Sequence, residues 1–131
     1  MTDLDGLISG PQKELLRKRS DIIGIGLILH AWGTIFICTW VAALFPNIFT
    51  LLLAGMLIGS RQLGLLILMH DAAHGILFKS PKLNHFFGQW LCGIPMFADL
   101  TTYRPYHLKH HKHVLTQKDP DLVLTGHYPI P

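Results

Sequence analysis

Charge is scarce in this chain, and where it is missing matters more than how much is missing. Only 15% of the 131 residues are charged, against about a quarter in ordinary soluble domains. No Asp, Glu, Lys or Arg occurs from Ile22 to Phe45, and Arg61 is the only one from Ile48 to Met69. So short a chain has too little polar sequence left to cover two such runs in water. As helices rising about 1.5 Å per residue they reach about 36 Å and about 33 Å, enough to cross a hydrocarbon core of about 30 Å. The expectation is an all-α integral membrane chain with two transmembrane helices, over about 22–45 and 48–69. The first run exceeds the roughly 7–15-residue core of a cleaved signal peptide, and the leading "MTDLDG" is acidic rather than basic. Cysteine is equally sparse. Cys38 and Cys92 have neither CxxC nor zinc-ribbon spacing, so no disulfide framework or thiolate zinc site is legible in them. The net charge of +3 comes from basic residues flanking the apolar runs, a distribution unlike a nucleic-acid footprint.

The polar remainder sets the organisation. In "SGPQKELLRKRS", Ser9 as N-cap, Pro11 in the first turn and Gln12 read as a helix start. Lys13, Arg17, Lys18 and Arg19 then form a basic collar ahead of the first span, whereas the connection "FPN" at 45–47 carries no charge. The positive-inside rule therefore places the amino terminus in the cytoplasm and Asn47 outside. Arg61 lies about 20 Å from the outer start of its span, within snorkelling reach of the inner interface. His30, inside the first span, is expected to be packed or pore-facing. "GMLIG" at 55–59 is a GxxxG pattern, which can let helices approach closely. The apolar stretch from Phe86 to Phe97 is too short to cross and is interrupted by Gly88, Gly93 and Pro95. Beside the basic "KSPK" it reads as a segment lying in the cytoplasmic interface. A last helix is expected through "TTYRPYHLKHHKHVLTQ", capped by Thr101 or Thr102 with Pro105 in its first turn and ending near Gln117, followed by a loop.

What the chain has in plenty is histidine. Six of its nine histidines sit in two bunches, "HDAAH" at 70–74 and "HLKHHKH" at 107–113. On a helix, residues three or four apart share a face, which pairs His70 with His74 and groups His107, His110 and His111. His113 falls about 60° beyond the edge of the second group. With no membrane crossing expected between the bunches, both lie on one side, and two facing imidazole stripes are how a helical bundle builds a metal site. Neutral imidazole suits iron, zinc, copper and nickel alike. "HDAAH" also invites comparison with the zinc-protease pattern HExxH, but Asp71 is a methylene shorter than Glu. That reading also leaves "HLKHH" unused, since a catalytic zinc takes three protein ligands. Five candidate imidazoles point to more than one metal. His85 and His127 are isolated and have no assigned role.

The two bunches resemble the first and second histidine boxes of the membrane fatty acid desaturases and related hydroxylases: "HDAAHGILF" is similar to HxxxH followed by a small and then apolar residues, and "YHLKHHKHVLTQKDPDL" to HxxHH followed by an acidic "DPD". The resemblance runs from the first span to Leu122. It implies His70, His74, His107, His110 and His111 as ligands of a di-iron centre that uses O2 to remove hydrogen from a lipid chain, with Asp71 and Asp119 orienting ligand imidazoles. It implies a membrane lipid or acyl thioester as substrate and an electron donor such as ferredoxin or cytochrome b5. The family carries a third box, usually after two further spans, which these 131 residues do not contain. Residues 1–131 are accordingly expected to be the amino-terminal portion of such a domain, with an incomplete site and no turnover alone. The competing readings are a carotenoid hydroxylase or ketolase of the same superfamily, a membrane zinc protease, and a non-catalytic descendant of the enzyme.

Overall fold

A computed structural model describes residues 18–114 and 116–122. The helix start expected at Ser9 to Gln12, Lys13 and Arg17 of the collar, and His127 lie outside the described residues. Helix α1 spans Asp21–Leu44 and α2 spans Ile48–Ala73, each close to the expected run. Ser20 caps α1, and Asp21 in its first turn suits the positive end of the helix dipole. Pro46 and the cap residue Asn47 turn the chain. The Asn47 side chain accepts from the Phe49 and Thr50 N–H groups at 3.0 and 3.1 Å, while the Thr50 hydroxyl accepts from the Asn47 N–H, a complete capping box.

The two helices run antiparallel and share one buried stripe: Gly24, Ile28 and Ala31 on α1, with Leu65, Leu68, Met69 and Ala72 on α2. Their other faces are apolar and exposed, as at Leu29, Phe36 and Trp40 on α1 and Phe49, Leu52 and Met56 on α2. Only 17% of the most apolar stretch of each helix is buried, whereas the core helix of a soluble protein would be mostly covered. Among the described residues there are helices and no strands. The chain is an all-α membrane protein with two helices long and apolar enough to span the bilayer.

Helix α2 continues past the expected end at residue 69, so that it carries His70, and stops at a defined place. Gly75 takes φ +70°, its N–H donates to Ala72 at 3.0 Å, and the Ile76 N–H reaches back to Asp71 at 2.9 Å. This is a Schellman stop, and a glycine meets its left-handed residue without strain. The chain then folds back onto the spans. The Lys79 N–H donates to the Asp21 carboxylate at 2.8 Å, which brings the end of α2 beside the basic start of α1. Buried Asn84 accepts from the Phe78 N–H and donates to the Phe78 and Ser80 carbonyls, latching this loop.

The expected interfacial segment is built from three pieces: α3 (Pro81–Phe87), a π-helical turn (Gly88–Gly93) and a 3-10 turn (Ile94–Met96). One side packs on α2 and α1, with Cys92 fully buried and the Trp32 indole donating to the Leu91 carbonyl at 3.0 Å. The other presents Phe86, Trp90, Ile94 and Phe97, spaced by four, four and three residues, as an exposed apolar stripe. Helix α4 (Leu100–His113) follows. Its cap is Asp99, which accepts from the Thr101 N–H at 3.0 Å, rather than Thr101 or Thr102. Pro105 consequently sits inside the helix instead of its first turn, and α4 ends four residues short of Gln117.

One expectation about the spans is revised, and another residue gains a partner. Gly55 and Gly59 have open space where a Cβ would stand, so no described helix packs into the GxxxG face. Arg61 has a partner that the sequence did not suggest: its Nη1 lies 3.1 Å from His30 Nε2, pairing the two helices across their exposed flank.

Candidate metal centre

The C-terminal turn of α2 carries His70, with His74 as its cap residue, and the Schellman stop fixes the direction of that turn. Helix α4 carries His107, His110, His111 and His113 and lies against α2 at this end. Four imidazoles converge: one ring nitrogen from each of His70, His74, His107 and His111 can be chosen so that all lie within 4.8 Å of one another. Opposite donors on one ion, at about 2.1 Å per bond, stand about 4.2 Å apart, so the set is gathered to near ligating distance. His107 is central. Its Nε2 lies 3.0 Å from both His74 Nε2 and His111 Nε2, and its ring centroid is 4.6 Å from that of His70. Tyr103, one turn earlier, stacks on the His107 ring at 4.8 Å.

The donor chemistry fits a metal. A neutral imidazole nitrogen either carries one proton or offers one lone pair. His107 Nε2 therefore makes at most one full N–H···N bond, although two Nε2 atoms face it at 3.0 Å. Whichever tautomers are chosen, one close contact is left unsatisfied by protons, and a cation between the nitrogens resolves it. Burial, and then the neighbouring His111, His70, His74 and His110, push His107 down to about 4. His74 is lowered by burial, then by His70 and His111. Near neutral pH both rings are in the unprotonated form that metals require.

His110 stands beside this group, not within it. Its ring centroid is 5.7 Å from that of His111, and its Nδ1 lies 2.8 Å from Asp119 and 3.1 Å from Asp121. The hydrogen bond with Asp119 raises its pKa. Asp121 in turn accepts from the Tyr106 hydroxyl. His70 Nδ1 is likewise 3.3 Å from Asp71. Both carboxylates expected to orient imidazoles thus lie against them, each on Nδ1, leaving Nε2 as the outward nitrogen. A ligand histidine characteristically has its second nitrogen held in this way. His113 is not among the converging four.

Sequence reasoning missed Asp121, Tyr103 and Arg104. Asp121 is in "DPD", where the same argument that selected Asp119 applies. Tyr103 lies at i−4 from His107, a spacing that makes two side chains neighbours on one helix face. Arg104 bonds backbone carbonyls at 3.1 and 2.8 Å, and backbone partners leave no side-chain pattern to read.

A helical membrane protein with histidines from two helices gathered at one end of its spans is a narrow class. The fatty acid desaturase family profile matches residues 46–129, and the chain belongs to that family. Dihydrorhizobitoxine desaturase of Bradyrhizobium elkanii is 35% identical over 113 residues, covering 84% of this chain and 32% of that protein. The chain thus spans about a third of the length of this curated relative. No solved structure matches.

Proposed function

We propose that residues 1–131 form the amino-terminal portion of a desaturase domain and supply the first two ligand-bearing helices of its di-iron centre. The observation that carries this reading is the convergence of His70 and His74 with His107 and His111 from a helix 33 residues further on. His70, His74, His107, His110 and His111 would hold the metal, with Asp71 and Asp119 keeping the imidazoles of His70 and His110 in orientation. When bound, the iron supplies O2-dependent removal of hydrogen from an unactivated C–H bond. The protein's own share is to gather the imidazoles at one end of the spans, with His74 and His107 held in the unprotonated form, beside a core in which Leu65, Phe78 and Leu100 are each 0% exposed. Two ions of five or six coordination take on the order of ten donors, so further ligands would come from beyond these two helices.

The family description supports a membrane lipid or acyl chain as substrate, and an external one-electron carrier such as ferredoxin or cytochrome b5 would supply reducing equivalents. The contact of Asp71 with His70 supports an orienting role over that of a protease base. Titrated anaerobically with Fe2+ as its sole metal in detergent micelles, the full chain is expected to retain iron, and His70→Ala or His110→Ala to reduce retention. Iron uptake no greater than that of a variant lacking all five histidines would overturn the reading.

The orientation proposed is cytoplasmic for the collar and both histidine groups. Single cysteines at Asn47, Ser80 and Thr116 test it, in a background without Cys38 and without Cys92, whose thiol burial pushes up to about 12. Labels at Ser80→Cys and Thr116→Cys are expected to react from the cytoplasmic side of sealed vesicles, and Asn47→Cys from the other. Reaction of the first two from opposite sides would refute the topology.

A further inference from the structure

The histidine-bearing half of α4 is held by little apolar packing. Leu100 is the only buried residue of that helix and sits in its first turn, where the Leu100 N–H also donates to buried Gln89 at 2.8 Å. Tyr103 adds partly buried contact. Beyond it, the Tyr106 and His110 bonds to Asp119 and Asp121 stay within the following segment. Something else has to set α4 against α2 at the level of the imidazoles.

Arg104 stands at that point. Its Nε donates to the Ala73 carbonyl at 3.1 Å and its Nη2 to the Ala72 carbonyl at 2.8 Å. A helix end leaves its last carbonyls without intrahelical partners. Here the Schellman bonds satisfy Asp71 through Ile76 and Ala72 through Gly75. Arg104 supplies a donor to Ala73 and a second one to Ala72. Both alanines are buried, so losing these bonds would leave the Ala73 carbonyl short of a donor in a dry place, and Ala72 with the Gly75 N–H alone. A cation at a helix C-terminus is also favoured by the dipole. Because the guanidinium is planar and rigid, two bonds from different nitrogens to adjacent carbonyls fix direction as well as distance.

The placement gives these bonds leverage. Arg104, His107 and His111 are spaced i, i+3 and i+7, one stripe of α4. The two carbonyls belong to the residues between His70 and His74. These bonds thus join α4, one turn before His107, to the α2 residues that separate His70 from His74.

We infer that Arg104 is a positioning residue that sets α4 on the end of α2 so that the four imidazoles converge, in the metal centre proposed above, on whose reading its functional consequence rests. Arg104→Ala removes both donors; Arg104→Lys keeps a charge and a long stem but loses the fork. Two readouts separate alignment from mere folding. The first is the distance between nitroxide labels at Ile67→Cys on α2 and Lys112→Cys on α4, in the metal-free full chain lacking Cys38 and Cys92, measured by pulsed electron paramagnetic resonance. The second is Co2+ binding followed by its ligand-field absorption.

The expected result is a narrow distance distribution in the parent that broadens in Arg104→Ala, with helical content unchanged. Co2+ affinity should fall on the order of 10- to 100-fold, with an altered absorption band. Arg104→Lys should lie between, and added methylguanidinium should narrow the distribution of Arg104→Ala again. Labels that keep the parent distance in both variants, with parental Co2+ affinity, would overturn the inference. A parent that binds no Co2+ but whose label distance still depends on Arg104 would sink the metal reading and support the positioning role. Should Arg104→Ala fail to fold, a parental distance and cobalt spectrum in Arg104→Lys would overturn the specific need for a fork.

Discussion

Replacing His107 with alanine is expected to weaken metal binding by about 100-fold or more while leaving the metal-free chain folded. His107 touches more of the site than any other ring: His74 and His111 through Nε2, His70 at 4.6 Å between centroids, and His110 at 6.4 Å. If four imidazoles share a binding free energy of about 10–16 kcal/mol, each is worth about 3 kcal/mol, so the loss should be about 100-fold or more. The metal-free fold should tolerate the change, because His107 is only partly buried and α4 is anchored at Leu100 and Arg104. Equilibrium titration with Co2+ or Fe2+, alongside thermal unfolding in the same micelles, separates the two effects. His113→Ala is the control and should bind metal as the parent does. An unchanged affinity in His107→Ala, or an equal loss in His113→Ala, would remove His107 from the centre of the site.

The pairing of His70 and His74 with His107 and His111 was legible in the sequence because helical spacing fixes which residues share a face. The expected lack of a crossing between residues 75 and 106 also led to the expectation that both faces lie on one side of the membrane. Asp71 and Asp119 were legible as imidazole partners through the resemblance to the histidine boxes. The two spans could be read from the distribution of charge alone. What could not be read was anything decided by backbone groups. The Schellman stop at Gly75 depends on a positive φ, and the docking of α4 depends on Arg104 reaching the Ala72 and Ala73 carbonyls. The start of α4 was misplaced because Asp99, Thr101 and Thr102 are all good caps, and their order of preference is too shallow to choose among them. The separate direction of His110 was hidden for a similar reason. Spacing puts it on the face of His107, but the pull of Asp119 and Asp121 on its Nδ1 is a tertiary contact. Arg61 was read as a lone cation seeking water; a partner 31 residues away, His30, became visible only when the helices were paired.

The other large effect expected lies at a glycine with no chemistry of its own. Gly88 opens the π-helical turn, and a Cβ built there would stand 2.4 Å from Ala72 Cβ and 2.9 Å from Leu100 Cδ2. Carbon atoms pack comfortably at about 3.5–4.0 Å, so the turn and α2 would have to separate by about 1 Å or more. Neither partner can yield cheaply: Ala72 has no rotamer to change, and Leu100 is fully buried. Gly88→Ala is therefore expected to destabilise the chain by about 1–3 kcal/mol, as overpacked cores do, despite alanine's better helix propensity. The loss should reach the metal centre as well, because Ala72 lies between His70 and His74 and its carbonyl is one of the two that Arg104 holds. Reversible unfolding in mixed micelles gives the stability, and Co2+ titration gives the affinity. The compensating variant separates this clash from a general intolerance of the turn. Ala72→Gly alone should cost about 1 kcal/mol for glycine inside a helix, yet combined with Gly88→Ala it should recover part of the stability, because the two Cβ atoms that collide would no longer coexist. A double variant whose losses merely add, or a Gly88→Ala chain as stable as the parent, would mean that the π-helical turn does not pack on the histidine helix at this residue.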